Sequence, residues 1–275
     1  MGRITARRRV TRIRRDAAPT QRADTLAVEE PLEIRVGGAP IAVTMRTPGH
    51  DFELVAGYLV SEGAITTGPD YSTARYCAGT DAQGTNTYNV IDVSLSAQTT
   101  PFDPTLIRRN PTSSACGICG KDSIDAVHVS SSHRPADDPL TVDVDTILAL
   151  PERLRAEQEV FDKTGGLHAA ALFDAAGELL VVREDVGRHN AVDKVIGWAV
   201  LSDRLPLSGT ILQVSGRASF ELVQKAAMAG IPMLCAVSAP SSLAAEAADE
   251  LGITLVGFSR GESMVVYSRD DRVLT

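Results

Sequence analysis

The sequence predicts an α/β protein: a larger C-terminal α/β domain over residues 144–275, preceded by a smaller N-terminal α+β domain over residues 24–112. Three observations carry this expectation. Continuous apolar runs at 210–214, 232–237 and 253–258 are separated by helix-length segments, the pattern of strands buried on both faces of a parallel sheet. Two β-type runs joined through Gly37-Gly38 open the folded part. Between about 97 and 143 the composition turns to Pro, Ser, Thr, Asp and Asn, which places a functional loop and junction there, at 113–143 in its core. At 275 residues, 44% of them hydrophobic, with a mean hydropathy of +0.00, the chain is ordinary for a soluble globular protein of one large core or two domains.

The N-terminal elements follow in order. Residues 1–15 hold seven arginines and no acid, with no apolar stretch behind them, so residues 1–23 read as a disordered basic tail and as neither a secretory signal nor an anchor. A cytoplasmic location is expected. Leu26 to Val36 and Pro40 to Arg46 read as a hairpin about the two glycines. Thr47-Pro48 offers an N-cap and a first helical position, and Phe52, Val55 and Leu59 recur at helical spacing until Gly63. Ile91, Val93 and Leu95 alternate with polar residues as a half-exposed strand.

In the C-terminal domain a helix is expected from Asp145 to Phe161, with Pro151 starting a new turn and Gly165-Gly166 ending it. His168 to Phe173 and Leu179 to Val182 flank an Asp174-Ala-Ala-Gly177 turn as a hairpin. A helix from about Asn190 to Leu201 follows, and then the three apolar strands alternate with helices.

Charge limits the function classes. Residues 1–15 carry +7 and the whole chain −8, which leaves −15 for the remainder. A body that acidic repels phosphate backbones, so nucleic-acid binding by the folded part is not expected, and nothing approaches a membrane span. Four cysteines at uneven spacing, with no signal peptide, argue for reduced thiols over a disulfide framework.

Two of those thiols stand out. Ser113 to Lys121 sets Cys116 and Cys119 in a lone Cys-x-x-Cys between glycines, with Lys121 placed to favour thiolate over a free thiol of pKa ~8.5. Three chemistries compete. A structural zinc site needs four ligands, yet Cys77, Cys235, His128 and His133 lack ligand-pair spacing. A dithiol redox pair lacks the preceding strand and following helix of a thioredoxin-like context. A persulfide carrier needs one thiolate that accepts a sulfane sulfur. Cys235, inside an apolar strand, reads as core, and Cys77 as structural.

A second candidate site lies beyond the carboxyl ends of the sheet strands, where helix N-termini present N–H donors. Gly187, Arg188 and His189 lead into one helix; Ser215, Gly216 and Arg217 follow strand 210–214; Phe258, Ser259, Arg260, Gly261, Glu262 and Ser263 follow strand 253–258. Together they suit a phosphorylated ligand. The plainer alternative is a set of punctuation turns with a surface arginine and a capping histidine. Neither G-x-G-x-x-G after a strand nor a P-loop occurs.

These residues together resemble the formate dehydrogenase accessory sulfurtransferase family, FdhD. The likeness is carried in order by Glu29-Glu-Pro-Leu-Glu33, Met45-Arg-Thr-Pro-Gly-His-Asp51, Cys116-Gly-Ile-Cys-Gly-Lys121, Thr164-Gly-Gly-Leu-His-Ala-Ala170, Arg183-Glu-Asp-Val-Gly-Arg-His-Asn-Ala-Val-Asp-Lys194, Ser215-Gly-Arg-Ala-Ser-Phe220 and Val256-Gly-Phe258 with Arg260-Gly261. It implies a protein that takes sulfur from a cysteine desulfurase and passes it to the bis-molybdopterin guanine dinucleotide (bis-MGD) molybdenum cofactor of the formate dehydrogenase catalytic subunit. Cys116 matches the family's persulfide-forming cysteine, Cys119 its companion, and Phe258 to Ser263 its cofactor-binding stretch. The resemblance also implies a cytidine deaminase-like α/β sandwich for the C-terminal domain. Ala115 stands where a zinc deaminase needs Pro, and no His-x-Glu precedes it, so deamination and a catalytic metal are not expected. GDP should mimic the nucleotide end of the cofactor, and an exchange between large partners favours a symmetric homodimer. The runner-up is a chaperone that binds and inserts the cofactor without carrying sulfur.

Overall fold

The computed structural model describes residues 4–77, 87–97, 99 and 131–275. The chain opens with an antiparallel ribbon, β1 (Thr5–Arg14) and β2 (Ala17–Ala27), paired from Thr5 opposite Ala27 to Arg14 opposite Ala17. A disordered tail was the expectation for residues 1–23, and the ribbon corrects it from Thr5 onward. The reason lies in Thr5, Val10, Thr11 and Ile13, β-branched residues interleaved with the arginines, which suit a pleated strand. Its foot is held where the Val28 N–H donates to the Ile4 carbonyl at 2.9 Å and where β2 meets a later helix, while its far end stays exposed.

β3 (Glu30–Val36) and β4 (Ala39–Arg46) form the expected hairpin. Its turn requires glycine, because Gly37 and Gly38 both sit at positive φ, 57° and 82°. α1 (Asp51–Ser61) starts three residues later than the Thr47 cap suggests: His50 is the N-cap, in a left-handed conformation, and Thr47 is drawn elsewhere. β5 (Tyr71–Tyr76) and β6 (Val90–Leu95) complete a four-stranded sheet of order β4-β3-β6-β5, with β3 and β6 parallel.

After β7 (Val142–Asp143), α2 (Val144–Ala156) is capped by the Asp143 carboxylate, which accepts from the Asp145 N–H at 2.9 Å. The single helix expected to Phe161 is two. α2 ends at Glu157, and α3 (Glu159–Thr164) is started by the Glu184 carboxylate, which accepts from the Val160 and Phe161 N–H groups at 2.8 and 2.7 Å. A partner distant in sequence breaks the helix, a cause that local periodicity does not contain.

β8 (His168–Asp174), β9 (Leu179–Asp185), α4 (Arg188–Leu201), β10 (Thr210–Val214), α5 (Phe220–Met228), β11 (Met233–Ala236), α6 (Ser242–Leu251), β12 (Thr254–Arg260) and β13 (Ser263–Ser268) follow, and β14 (Val273–Leu274) pairs with β7. The main sheet runs β13-β12-β11-β10-β8-β9. Only β10, β11 and β12 are mutually parallel, so the all-parallel expectation holds for the centre and fails at the edges, where β8 and β13 pair antiparallel. One face, carrying Leu212, Val214, Leu234 and Leu255, packs on α4, α5 and α6 and continues into α1 and the four-stranded sheet. The opposite face, carrying Ile211, Met233, Cys235 and Val256, packs on α2. α1 and α4 cross closely at Gly57 and Gly197: a Cβ on Gly57 would overlap the Asp193 carbonyl, and one on Gly197 the Glu53 carbonyl.

Candidate functional site

A cavity of about 590 Å³ opens at the carboxyl ends of the parallel strands, on the α2 side of the sheet. Ser215 closes it after β10, Val237 after β11, and Arg260 and Gly261 at the end of β12; His168 enters from β8 and Val186 follows β9. Leu154 and Arg155 of α2 and Phe161 of α3 form the outer wall, with the Arg155 guanidinium 4.8 Å from the centre of the Phe161 ring. Apolar walls with a few cations and polar groups fit a ligand that has both a flat and an anionic part.

Why these residues meet is visible in the backbone. The Ser215 N–H donates to the Ala169 carbonyl at 2.9 Å, and the Ala169 N–H donates back to Ser215 Oγ at 2.8 Å, which ties β8 to the end of β10. Asp185, wholly buried, accepts from the Thr47 N–H at 3.0 Å, the Gly187 N–H at 2.8 Å and Asn190 Nδ2 at 3.0 Å, and pairs with Lys194 Nζ at 2.7 Å. Most of the Arg183–Lys194 motif is therefore scaffold. Arg183 holds Glu53 of α1, with Nη2 to Oε1 at 2.7 Å, and Asp193 takes Lys225 at 2.8 Å and the Ser61 hydroxyl at 2.7 Å.

The predicted ligand residues divide accordingly. Ser215, Arg260 and Gly261 line the cavity. Gly216 adjoins it: a Cβ there would lie 3.5 Å from His168 Nδ1 and 3.9 Å from Arg188 Cδ. Arg188 is half-buried, and its Nε is buried with no hydrogen-bond partner among the described residues. The Gly187 N–H is already taken by Asp185. His189 is turned into the core, its Nε2 3.3 Å from Ser219 Oγ and 3.6 Å from the Glu221 carboxylate. Arg217, Phe258, Glu262 and Ser263 are exposed outside the lining, and Ser259 is buried with its hydroxyl unpartnered among the described residues. The third junction is no helix start: Phe258 to Arg260 end β12, Gly261 and Glu262 turn, and Ser263 opens the antiparallel β13, so it offers no helix N-terminus.

Sequence reasoning gave His168 no role. The structure places its imidazole in the cavity; burial, and secondarily the Arg188 charge, lower its pKa below the ordinary 6.5. Gly165 and Gly166, just before His168 in the chain, also line the space.

Cys116, Cys119 and Lys121 lie outside the described residues, as does His128. The chain on either side of that stretch is anchored. Thr99 Oγ1 donates to Asp70 Oδ1 at 3.2 Å, Ser131 Oγ to the Ala227 carbonyl at 2.8 Å, and His133 Nε2 lies 3.3 Å from the Thr66 carbonyl. Ala227 lies in the last turn of α5, whose nine residues span about 13 Å. Cys235 is fully buried, and burial raises its thiol pKa; Cys77 is half-buried. No trio of His, Cys, Asp or Glu is assembled for a metal among the described residues, and no helix among them is long and apolar enough to cross a membrane.

A sequence profile of the FdhD/NarQ family matches residues 27–274. The sulfur carrier protein FdhD of Mycolicibacterium paratuberculosis is 58% identical over 98% of this chain and 99% of its own, and that of Streptomyces coelicolor 59% over 99% and 97%. The protein of the same name from Thermoplasma volcanium is 43% identical over 91% and 90%. A crystal structure described as that of a formate dehydrogenase accessory protein from Desulfotalea psychrophila superposes with a TM-score of 0.76 at 24% identity, covering 99% of this chain and all of that one, which shows a shared fold. By the profile match over nearly its whole length and by these relatives, the chain belongs to the FdhD/NarQ family.

Proposed function

We propose that this chain is a sulfur carrier for formate dehydrogenase, loading sulfur on Cys116 and delivering it to the enzyme's bis-MGD cofactor bound at the cavity. The full-length likeness to relatives named sulfur carrier protein FdhD supports the carrier role. The observation that carries the ligand site is the cavity where Ser215, Arg260 and Gly261 converge beyond the parallel strands. Its apolar wall suits a guanine or pterin ring, and Arg260 and Arg155 suit phosphate.

Loading is a thiol exchange. The Cys116 thiolate attacks the terminal sulfur of a cysteine desulfurase persulfide, a new S–S bond forms on Cys116, and the desulfurase thiolate leaves. If the Cys119 thiolate then attacks the inner sulfur of Cys116, a disulfide forms and hydrosulfide is released. Covalent geometry allows the transfer: Cys116 is fifteen residues from the anchored Ser131, a reach of up to about 50 Å. The cytoplasm, where desulfurase and apo-enzyme meet, is the proposed compartment, and a homodimer the proposed assembly.

Co-expression of formate dehydrogenase with the Cys116→Ala chain tests the carrier reading against pure cofactor insertion. Loss of active, sulfurated enzyme is expected. Full activity would leave a cofactor chaperone as the function.

A further inference from the structure

His168 lines the cavity, and Arg188 lies beside it, outside the lining. The His168 imidazole makes no hydrogen bond among the described residues, and neither does the buried Nε of Arg188. Gly216 lies between them. A Cβ on Gly216 would stand in ordinary contact with His168 Nδ1 at 3.5 Å, with Cε1 of the same ring at 3.7 Å and with Arg188 Cδ at 3.9 Å. A buried donor left without an acceptor costs about 1–3 kcal/mol, and more when it is charged, so a ligand that supplies one gains that much on arrival.

Resting on the proposed ligand cavity, we propose that His168, Gly216 and Arg188 form an oxyanion subsite that takes one phosphoryl group of the bound ligand, with His168 as its proton-responsive member. Arg188 supplies fixed charge, and Gly216 lets the oxyanion approach the main chain where any side chain would stand. His168 supplies a hydrogen bond that strengthens when its ring is protonated. The α4 N-terminus is not the source, since its Gly187 N–H is held by Asp185.

The charges facing the ring define its response. Arg188 on α4 opposes protonation and Asp185 on β9 favours it, although Asp185 is already paired with Lys194. Arg260 on β12 and Arg155 and Glu152 on α2 share the cavity. Burial and Arg188 keep the free ring neutral near pH 7, and a bound dianion reverses the balance. Binding then takes up a proton, and affinity for the anion rises as pH falls through the histidine range, about pH 8 to 5.

Inorganic pyrophosphate and GDP, titrated calorimetrically into the full chain across that range, test the subsite. His168→Gln should abolish the part of the pH dependence that wild type shows beyond the probe's own titration, which is common to both proteins. Arg188→Met and Gly216→Ala should each weaken both probes about tenfold or more. Gly216→Ala changes no charge, and its methyl meets only ordinary contacts, so it folds and reports the space itself. If all three variants bind as wild type while Arg260→Ala still weakens GDP, the subsite is wrong and the cavity stands. If Arg260→Ala also has no effect, or neither probe binds wild type, both fall.

Discussion

Asp185 and Lys194 form a fully buried ion pair, Oδ2 to Nζ 2.7 Å, at the joint where β9 turns into α4. Lys194 also donates to the Thr47 carbonyl at 2.9 Å, and the Thr47 N–H donates to Asp185 at 3.0 Å, so the pair fixes the lead into α1 as well. Removing one partner of such a pair leaves the other charge buried and alone. Lys194→Met should therefore lower stability by about 3–5 kcal/mol, read from the urea midpoint at unchanged slope. A loss under about 1 kcal/mol would mean that water reaches Asp185.

Gly57 and Gly197 place α1 against α4 with no room for a methyl group. Gly197→Ala improves helix propensity by about 1 kcal/mol in isolation, yet it must push backbone from backbone. The expected outcome is a net destabilisation of about 1–3 kcal/mol and a lower melting temperature. A raised melting temperature would show that the helices separate freely.

Glu53, beside that crossing, gives a pH signature. Burial pushes its carboxyl up, but hydrogen bonds from Arg183 and His50 outweigh this and hold it below its ordinary 4.5. A carboxylate depressed in the folded state contributes stability that is present above the unfolded value and is lost as pH falls through the folded one. The stability gap between wild type and Glu53→Gln should be full near neutral pH and shrink below about pH 4.5. A gap independent of pH would assign the effect to packing.

For GDP, position relative to the cavity separates two arginine substitutions that the sequence alone treats alike. Arg260 lines the cavity, and Arg260→Ala should weaken GDP by about 1–3 kcal/mol. Arg217 is exposed outside it, and Arg217→Ala should change affinity by less than about 0.5 kcal/mol. Calorimetry with equal losses in both would move the ligand onto the 215–220 turn.

Where one residue type dictates one local geometry, the sequence was a sufficient guide. Gly37-Gly38 predicted the hairpin, and the apolar runs at 210–214, 232–237 and 253–258 predicted the parallel centre of the sheet. Long-range partners decided the rest. Glu184 splits the helix expected over 145–161, and β13 pairs back on β12 to turn a supposed helix start at 258–263 into a hairpin. In the basic ribbon, charge hid the β-branched residues Val10, Thr11 and Ile13. Ser215, Arg260 and Gly261 were legible as ligand candidates because strand ends announce themselves; His168 was not, because a histidine at the start of a strand carries no mark of the cavity that tertiary packing builds around it.

The central claim is that sulfur rides on Cys116, and intact-protein and peptide mass spectrometry after incubation with a cysteine desulfurase and cysteine tests it most directly. The account predicts one added sulfur, about 32 Da, on the peptide bearing Cys116, removed by reductant, absent from Cys116→Ala and retained in Arg260→Ala. No added mass on Cys116 under conditions in which the desulfurase itself is loaded, or undiminished loading of the Cys116→Ala chain, would contradict it.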